Sequence, residues 1–104
     1  MPAVVVIAVF RPAEGRQSEL VEALRGVIPA VHDEAGCELY AIHDADDGSV
    51  VLVEKWSSRD DLAAHSNGEP IAALRRAVDG LVAGPPEVTR MDALPAGTAE
   101  QGVL

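Results

Sequence analysis

The sequence predicts a single α+β domain with the element order β-α-β-β-α-β. Three observations support this fold class: strand-like runs at residues 3–11, 37–43 and 50–56, apolar residues at helical spacing elsewhere, and an Asp-Gly turn between the last two runs. This order is the split βαβ unit of ferredoxin-like folds, in which a four-stranded antiparallel sheet carries two helices on one face. A chain of 104 residues has the usual size of one such domain.

The first strand is predicted over residues 3–11, a run without glycine or proline that ends at Pro12. Both of its alternating faces are apolar, with Val4, Val6, Ala8 and Phe10 on one face and Val5, Ile7 and Val9 on the other. A strand with two apolar faces is typical of a sheet that is covered on both sides.

An amphipathic helix is predicted from about residue 15 to residue 33. Its apolar positions recur at helical spacing: Leu20, Leu24, Val27 and Val31. We expect Pro29 to kink this helix or to separate its last turn, because proline removes one hydrogen bond and clashes with the preceding turn. Gly36 closes the segment.

Residues 37–43 and 50–56 predict an antiparallel hairpin. Strict alternation places Cys37, Leu39 and Ala41 on one face of the first strand and Glu38, Tyr40 and Ile42 on the other. The connection is polar and ends in Asp47-Gly48, which is favourable turn chemistry.

The second helical region is predicted in two parts. Ser58 and Asp61 form a carboxylate variant of the capping box that starts the first part. Asn67-Gly68 interrupts the helix, and Pro70 restarts it at a preferred first-turn position. The second part is predicted to continue to Gly84 with one apolar face, formed by Ile71, Leu74, Val78, Leu81 and Val82.

Residues 87–92 predict the last strand of a domain that spans residues 1–94, and the small, polar residues 95–104 predict a flexible tail. Two helices cover only one face of the sheet, whereas the strands are apolar on both faces. Because a large exposed apolar surface is uncommon on a soluble monomer, the sequence predicts a homodimer in which a second copy covers the other face.

The composition excludes several classes of protein. Seventeen acidic residues against eight basic residues give a net charge of −9, which disfavours a nucleic-acid partner. No apolar run approaches the ~18 residues that a membrane span needs. The start Met1-Pro2-Ala3 lacks the basic residues of a signal peptide, and a single cysteine forms no internal disulfide. We therefore expect a cytoplasmic protein without a membrane partner.

No metal site or cofactor is predicted. The three histidines, His32, His43 and His65, are eleven and twenty-two residues apart, without the short spacing of metal ligands. No glycine-rich loop matches a nucleotide-binding fingerprint. His32 is interpreted as a solvated helix end. His65, three residues after Leu62, is interpreted either as a partly buried structural residue or as a functional one that faces the sheet.

Trp56 and Glu54 are predicted to share one strand face with Leu52. A buried tryptophan mostly supplies packing area, and Trp56 is interpreted first in this way. Glu54 is interpreted as a surface residue or an ion-pair partner of an arginine rather than as a buried acid. Tyr40 either offers its hydroxyl to a pocket or carries its ring into the core.

The stretch from Glu34 to His65 resembles the antibiotic biosynthesis monooxygenase superfamily, especially its small quinol-monooxygenase-like members. Three motifs carry the resemblance: E-A-G-C-E-L-Y, E-K-W-S-S and a helix that closes in A-H. A fourth, G-P-P-E-V, follows later in the chain. Ala35 replaces a usual proline, and the matching residues are Gly36, Cys37, Tyr40, Glu54, Trp56, Ser58 and His65. The resemblance covers residues 3 to about 94.

The resemblance implies a dimeric α+β barrel and oxygenation without a cofactor. In that chemistry a quinol-like or polycyclic phenol loses a proton, and its anion passes an electron to dioxygen. Trp56 would line the pocket and donate its indole N–H, and His65 would be the base or the partner of the anion. Tyr40 and His43 are further pocket candidates.

Two departures from the family pattern narrow the chemistry. Leu52 stands where the anthrone-oxidising branch has an asparagine. Haem-degrading relatives need a histidine further along the second helix, where this chain offers Arg75 and Arg76, and an asparagine in the first strand, which has none, so haem degradation is disfavoured. The alternative function is a non-catalytic dimer that binds a small ligand or serves a pathway or stress response. A cavity that reaches Trp56 and His65 would favour the enzyme, and a closed, dry core would favour the alternative.

Overall fold

The computed structural model describes residues 2–104, so Met1, the first residue of the N-terminus discussed above, lies outside the described residues. The sheet has the strand order β2-β3-β1-β4, and each neighbouring pair is antiparallel. The predicted ferredoxin-like α+β fold is therefore confirmed. The elements are β1 (Val4–Phe10), α1 (Gln17–His32), β2 (Cys37–Asp44), β3 (Val50–Trp56), α2 (Arg59–Ser66), α3 (Glu69–Val78) and β4 (Glu87–Asp92).

The inner face of the sheet is the face that the helices cover. It carries alternate residues of the two central strands, and the register places Val4 opposite Trp56 and Val6 opposite Glu54. Leu20 and Leu24 of α1 are fully buried in the same core, together with Leu74 of α3. The apolar stripes of the helices are thus buried against one side of the sheet, as the helical spacing predicts.

The outer face carries the intervening residues and has no helix over it. Ile7, Val51 and Val53 are only partly buried there, whereas Val5 is 7% exposed. Val5 lines a cleft together with Val103 and Leu104, so the C-terminal segment lies beside this part of the face. The flexibility of residues 95–104 stays a prediction.

One prediction about a helix end is wrong, and another is wrong in part. Helix α1 continues through Pro29 to His32, so its last turn is not separated, and Arg25, whose carbonyl loses its usual donor, is exposed to water. A kink at Pro29 stays a prediction. Helix α3 ends at Val78 instead of continuing past Val82. Gly80 adopts a positive φ of 78°, and Val82 then pairs in extended form with Pro12. The apolar side chain of Val82 is therefore partly buried from an extended segment rather than from a helix.

The predicted strict alternation of β2 is wrong, because the strand contains a β-bulge. The register shifts between Cys37 and Leu39, so Cys37 lies opposite Trp56 while Tyr40 lies opposite Glu54. Both residues therefore face the inner side, although strict alternation separates them. Such a bulge adds one residue to a strand and redirects the side chains that precede it. Among the helices of residues 2–104, none is long and apolar enough to cross a bilayer.

Candidate functional site

Three aromatic side chains meet on the inner face, and we call Tyr40, Trp56 and His65 the aromatic cluster. The rings of Trp56 and His65 are stacked, with centroids 4.5 Å apart and an interplanar angle of 29°. Tyr40 approaches His65 at 5.5 Å and Trp56 at 6.4 Å, both in edge-on geometry. Their exposed fractions are 2% for Tyr40, 0% for Trp56 and 3% for His65.

The local sequence explains why these rings meet. Trp56 ends β3, and the Ser58 side chain accepts a hydrogen bond from the Asp61 N–H at 3.1 Å, so that α2 starts directly after the strand. Leu62 and His65 are one helical turn apart and are the two buried residues of α2. The same turn therefore holds α2 in the core and places His65 on Trp56, as the sequence analysis suggested for a histidine that faces the sheet.

A carboxylate that the sequence analysis did not single out completes the cluster on one side. Glu34 Oε1 lies 2.8 Å from His65 Nδ1, and the exposed fractions of the two side chains are 17% and 4%. Glu34 follows α1, thirty-one positions before His65. Its only sequence signal was its place at the start of the E-A-G-C motif, and spacing alone does not predict this contact.

Glu54 contacts the cluster on the other side. Its Oε1 accepts a hydrogen bond from the Trp56 indole N–H at 2.9 Å, and the residue is 6% exposed. Burial raises the pKa of the Glu54 carboxyl group above its ordinary value, although the hydrogen bond from the indole N–H and the electrostatic effects of His65 and Arg90 act in the opposite direction. The interpretation of Glu54 as a surface residue is therefore wrong, and the indole N–H is already in use.

The Tyr40 hydroxyl differs from the Trp56 indole N–H in its hydrogen bonding. It is buried and has no hydrogen-bond partner among the atoms of residues 2–104. Burial raises the pKa of the Tyr40 phenol, and the negative charges of Glu54 and Glu34 raise it further. A buried hydroxyl without a partner costs free energy, so this oxygen is a free donor and acceptor for any polar atom that reaches the cluster.

Cys37 lies opposite Trp56 at the edge of the cluster and is partly exposed. Burial raises the pKa of its thiol, and the charges of Glu34 and Glu54 add to this effect. A thiol with a raised pKa is a poor nucleophile at neutral pH. Cys37 is therefore not a candidate nucleophile.

The other two histidines lie away from the cluster. His43 is exposed on the outer face, where its Nδ1 lies 3.2 Å from the Val51 carbonyl oxygen. His32 is an exposed helix end, as predicted, and its Nε2 contacts the Tyr40 carbonyl oxygen at 3.0 Å. The structure thus brings together three of the four predicted site residues, His65, Trp56 and Tyr40, and leaves His43 on the opposite side of the sheet.

The cluster is closed as it stands. Because Trp56 has no exposed surface, no space large enough for a water molecule touches its ring. The cleft of about 570 Å³ lies at the opposite end of the strands, lined by Arg11, Gly15, Gln17, Asp47 and neighbouring residues. Throughout residues 2–104, no three His, Cys, Asp or Glu side chains are grouped as a metal ion would require.

Comparison with known sequences gives a consistent result. The family model described as antibiotic biosynthesis monooxygenase matches residues 3–77. The chain is also similar to a protein of Mycobacterium tuberculosis named "Putative monooxygenase Rv0793". The two are 34% identical over 87 residues, which make up 83% of this chain and 86% of the relative.

Comparison with solved structures gives the same fold. The structure of Rv0793 from M. tuberculosis has a TM-score of 0.80 at 32% identity, and the match covers 93% of this chain and 98% of that one. SO0527 from Shewanella oneidensis has a TM-score of 0.79 at 28% identity, covering 88% and 90%. PA3566 from Pseudomonas aeruginosa, at 24% identity and a TM-score of 0.80 over 90% and 96%, shares the fold.

Proposed function

Because this chain belongs to the antibiotic biosynthesis monooxygenase family, we propose that it is a monooxygenase that oxidises a quinol-like or polycyclic phenol with dioxygen and without a cofactor. The observation that carries this proposal is the buried imidazole of His65, stacked on Trp56 beside the unpartnered hydroxyl of Tyr40. A base, an aromatic surface and a free hydrogen-bond donor are the groups that such a reaction needs.

The proposed reaction has three steps. His65 accepts the proton of the substrate hydroxyl, and the Tyr40 hydroxyl donates a hydrogen bond to the resulting oxyanion. The anion transfers one electron to dioxygen, and the two radicals combine to form a carbon–oxygen bond. The peroxide takes the proton back from the imidazolium, and cleavage of its O–O bond with loss of the carbon-bound hydrogen gives a carbonyl group and one molecule of water.

This proposal requires the cluster to open. Trp56 is fully covered, so a substrate ring reaches His65 only when the helices over the inner face move away. The helical region has a natural joint at Asn67-Gly68, between α2 and α3.

The closed cluster favours a second candidate function. A non-catalytic dimer, serving a pathway or stress response or binding a small ligand elsewhere, needs no opening, and in it the Glu34–His65 and Trp56–Glu54 contacts are structural. Complete burial of Trp56 is the observation that supports this candidate. The two functions differ in whether oxygen is consumed.

The proposed assembly is a homodimer that forms a dimeric α+β barrel. The partly exposed apolar residues of the outer face, among them Ile7, Val51 and Val53, support this assembly, because a second copy would remove them from water. The proposed location is the cytoplasm, where the single thiol of Cys37 stays reduced.

Oxygen uptake over a panel of quinols and anthrones tests the proposed function. We expect uptake by the parent protein, and a loss of about 100-fold to 10,000-fold in His65→Gln, because a positioned proton acceptor contributes that much to a rate. His32→Gln is the matched control, since His32 is exposed outside the cluster. Melting curves of all variants separate lost activity from lost stability. If the parent consumes no oxygen with any substrate, the non-catalytic function is the correct one.

A further inference from the structure

We propose that Glu34 is a positioning residue that holds His65 in the tautomer with a free Nε2. This inference rests on the proposed function, because it names the nitrogen that accepts the substrate proton. It also makes a claim about the resting protein that is measurable without any substrate.

The contact itself determines the tautomer. An ionised carboxylate only accepts hydrogen bonds, so the 2.8 Å contact between Glu34 Oε1 and His65 Nδ1 requires a proton on Nδ1. In the neutral imidazole the lone pair then lies on Nε2. The other tautomer would direct the Nδ1 lone pair at the carboxylate, and with both groups largely buried the repulsion would be poorly screened.

Glu34 is itself held in place from several directions. Its N–H donates to the Val31 carbonyl oxygen at 3.0 Å, and its own carbonyl oxygen accepts from the Cys37 N–H at 3.2 Å. The carboxylate lies against Gly68, since a Cβ atom built on Gly68 would come within 3.4 Å of Glu34 Oε2. Gly68 is the N-cap of α3, and the partial positive charge of a helix N-terminus attracts a carboxylate.

The contact also fixes the plane of the imidazole. His65 is stacked on Trp56 across one ring face, and Glu34 holds one edge of the ring at Nδ1. Rotation of the ring about χ2 would break the hydrogen bond, so Nε2 keeps one direction. A base with a fixed direction and a fixed lone pair transfers a proton faster than one that must first reorient.

Nitrogen-15 NMR of histidine-labelled protein tests the inference directly. The ring nitrogens of His65 are assigned by their disappearance in His65→Gln. In the parent we expect a protonated Nδ1 and a bare Nε2. In Glu34→Gln we expect the share of this tautomer to fall, because a carboxamide that donates to Nδ1 favours a proton on Nε2. Asp33→Asn is the matched control, since Asp33 is the exposed neighbour of Glu34.

Kinetics provide the second readout. We expect kcat of Glu34→Gln to fall by at least about 10- to 100-fold with little change in KM, since removal of the carboxylate that orients a metal-bound histidine costs this factor and the loss in a catalytic triad is larger. Glu34→Asp keeps the acceptor and should keep the Nδ1 proton, which separates the tautomer effect from a general loss of packing. Melting temperatures are measured for each variant.

The outcomes separate this inference from the proposed function. A parent with the proton on Nε2, or a Glu34→Gln variant with an unchanged tautomer, overturns the role of Glu34 even if the enzyme is active. A parent without oxygen uptake overturns the proposed function, while the tautomer measurement still decides whether Glu34 positions the ring. The tautomer pattern together with the kcat loss supports both.

Discussion

The two faces of the sheet use the same strands in opposite ways. On the inner face, Glu54 and Trp56 are nearly or fully buried, and polar groups are embedded among Leu and Val side chains. On the outer face, Val51 and Val53 alternate with them along the same strand, yet they remain partly exposed. One strand thus contributes to a closed polar cluster on one side and to an open apolar surface on the other.

This difference indicates which face is suited to chemistry and which face is suited to assembly. Burying a polar group is costly unless it is paired, and the inner face pairs two of its polar side chains with carboxylates: His65 with Glu34 and Trp56 with Glu54. The outer face offers apolar area, which favours association. Chemistry is expected on the inner side and assembly on the outer side, and the following substitutions test this division.

The largest change in free energy, here that of dimerisation, is expected from a charge in the middle of the outer face. Val53 pairs with Ile7 and Ala41 on the neighbouring strands, so Val53→Asp would place two uncompensated carboxylates in the proposed interface. We expect the dissociation constant to rise by at least about 1000-fold, since even one of the two unpaired charges costs about 3–5 kcal/mol when it is buried. Light scattering after size exclusion should report about twice the chain mass of 10.9 kDa for the parent and the chain mass for the variant.

Thr89→Asp is the control for this prediction. Thr89 pairs with Ile7 on the same face, but it lies on the edge strand β4 and is already exposed. We expect this variant to remain a dimer. A parent that elutes as a monomer at micromolar concentration would contradict the assembly, whatever the variants do.

The second-largest change in free energy, here that of unfolding, is expected at Trp56 on the inner face. Trp56→Phe removes part of the ring and leaves Glu54 without its indole donor in a buried site. We expect a loss of about 3 kcal/mol in the free energy of unfolding, from lost packing and an unsatisfied acceptor. The same substitution in a Glu54→Gln background should cost less, because no buried carboxylate is then left without its donor. Urea denaturation of the four proteins forms a double-mutant cycle, and strict additivity would refute the coupling.

Local patterns in the sequence predict most of the fold. The alternation of residues 50–56, the Ser58 cap and the Asn67-Gly68 break all lie where the patterns place them, since each depends on neighbouring residues. The bulge after Cys37 was not predictable from alternation, because it arises from pairing with the adjacent strand. The early end of α3 depends on Gly80, which the apolar period through Val82 does not reveal.

The site was predictable only in part. Trp56, His65 and Tyr40 were identified through the motifs that resemble the family, and the fold brings them together. The pairing of Glu34 with His65 was not predictable, because these residues are thirty-one positions apart and meet only when α2 packs beside the loop after α1. Glu54 shares its strand face with Leu52 and Trp56, which indicates burial, but the general preference of a lone carboxylate for the surface favours the opposite interpretation.

A smaller effect is expected at the turn that leads into the inner face. Gly36 has a φ of 80°, and a Cβ atom there would overlap the Asp61 side chain. We expect Gly36→Ala to cost about 2–3 kcal/mol, from the left-handed backbone and the overlap. Gly48→Ala is the matched control, since its φ is 89° and nothing lies within 4 Å of the added atom. We expect it to cost about 1 kcal/mol, and equal losses in thermal denaturation would contradict the role of the overlap.

The smallest effect concerns the pH dependence of stability at Glu54. Burial raises the pKa of this carboxyl group in the folded protein, so the folded state binds the proton more tightly than the unfolded state does. The stability contribution of the protonated acid is complete below the unfolded value of about 4.3 and is lost as the pH rises through the folded pKa. Glu54→Gln removes this loss, because a carboxamide does not ionise and its oxygen still accepts the indole N–H.

We therefore expect the free energy of unfolding of Glu54→Gln, relative to the parent, to improve between pH 4 and pH 7.5. The gain should be about 1.4 kcal/mol for each tenfold difference between the folded and unfolded acid constants. Urea denaturation at several pH values measures it at one protein concentration, since dimerisation adds to stability. Glu14→Gln, at an exposed position in the loop before α1, is the control and should show no such trend. A relative stability of Glu54→Gln that falls with rising pH would mean that the folded protein stabilises the ionised carboxylate, and that the inner face tolerates a charge as well as a neutral polar group.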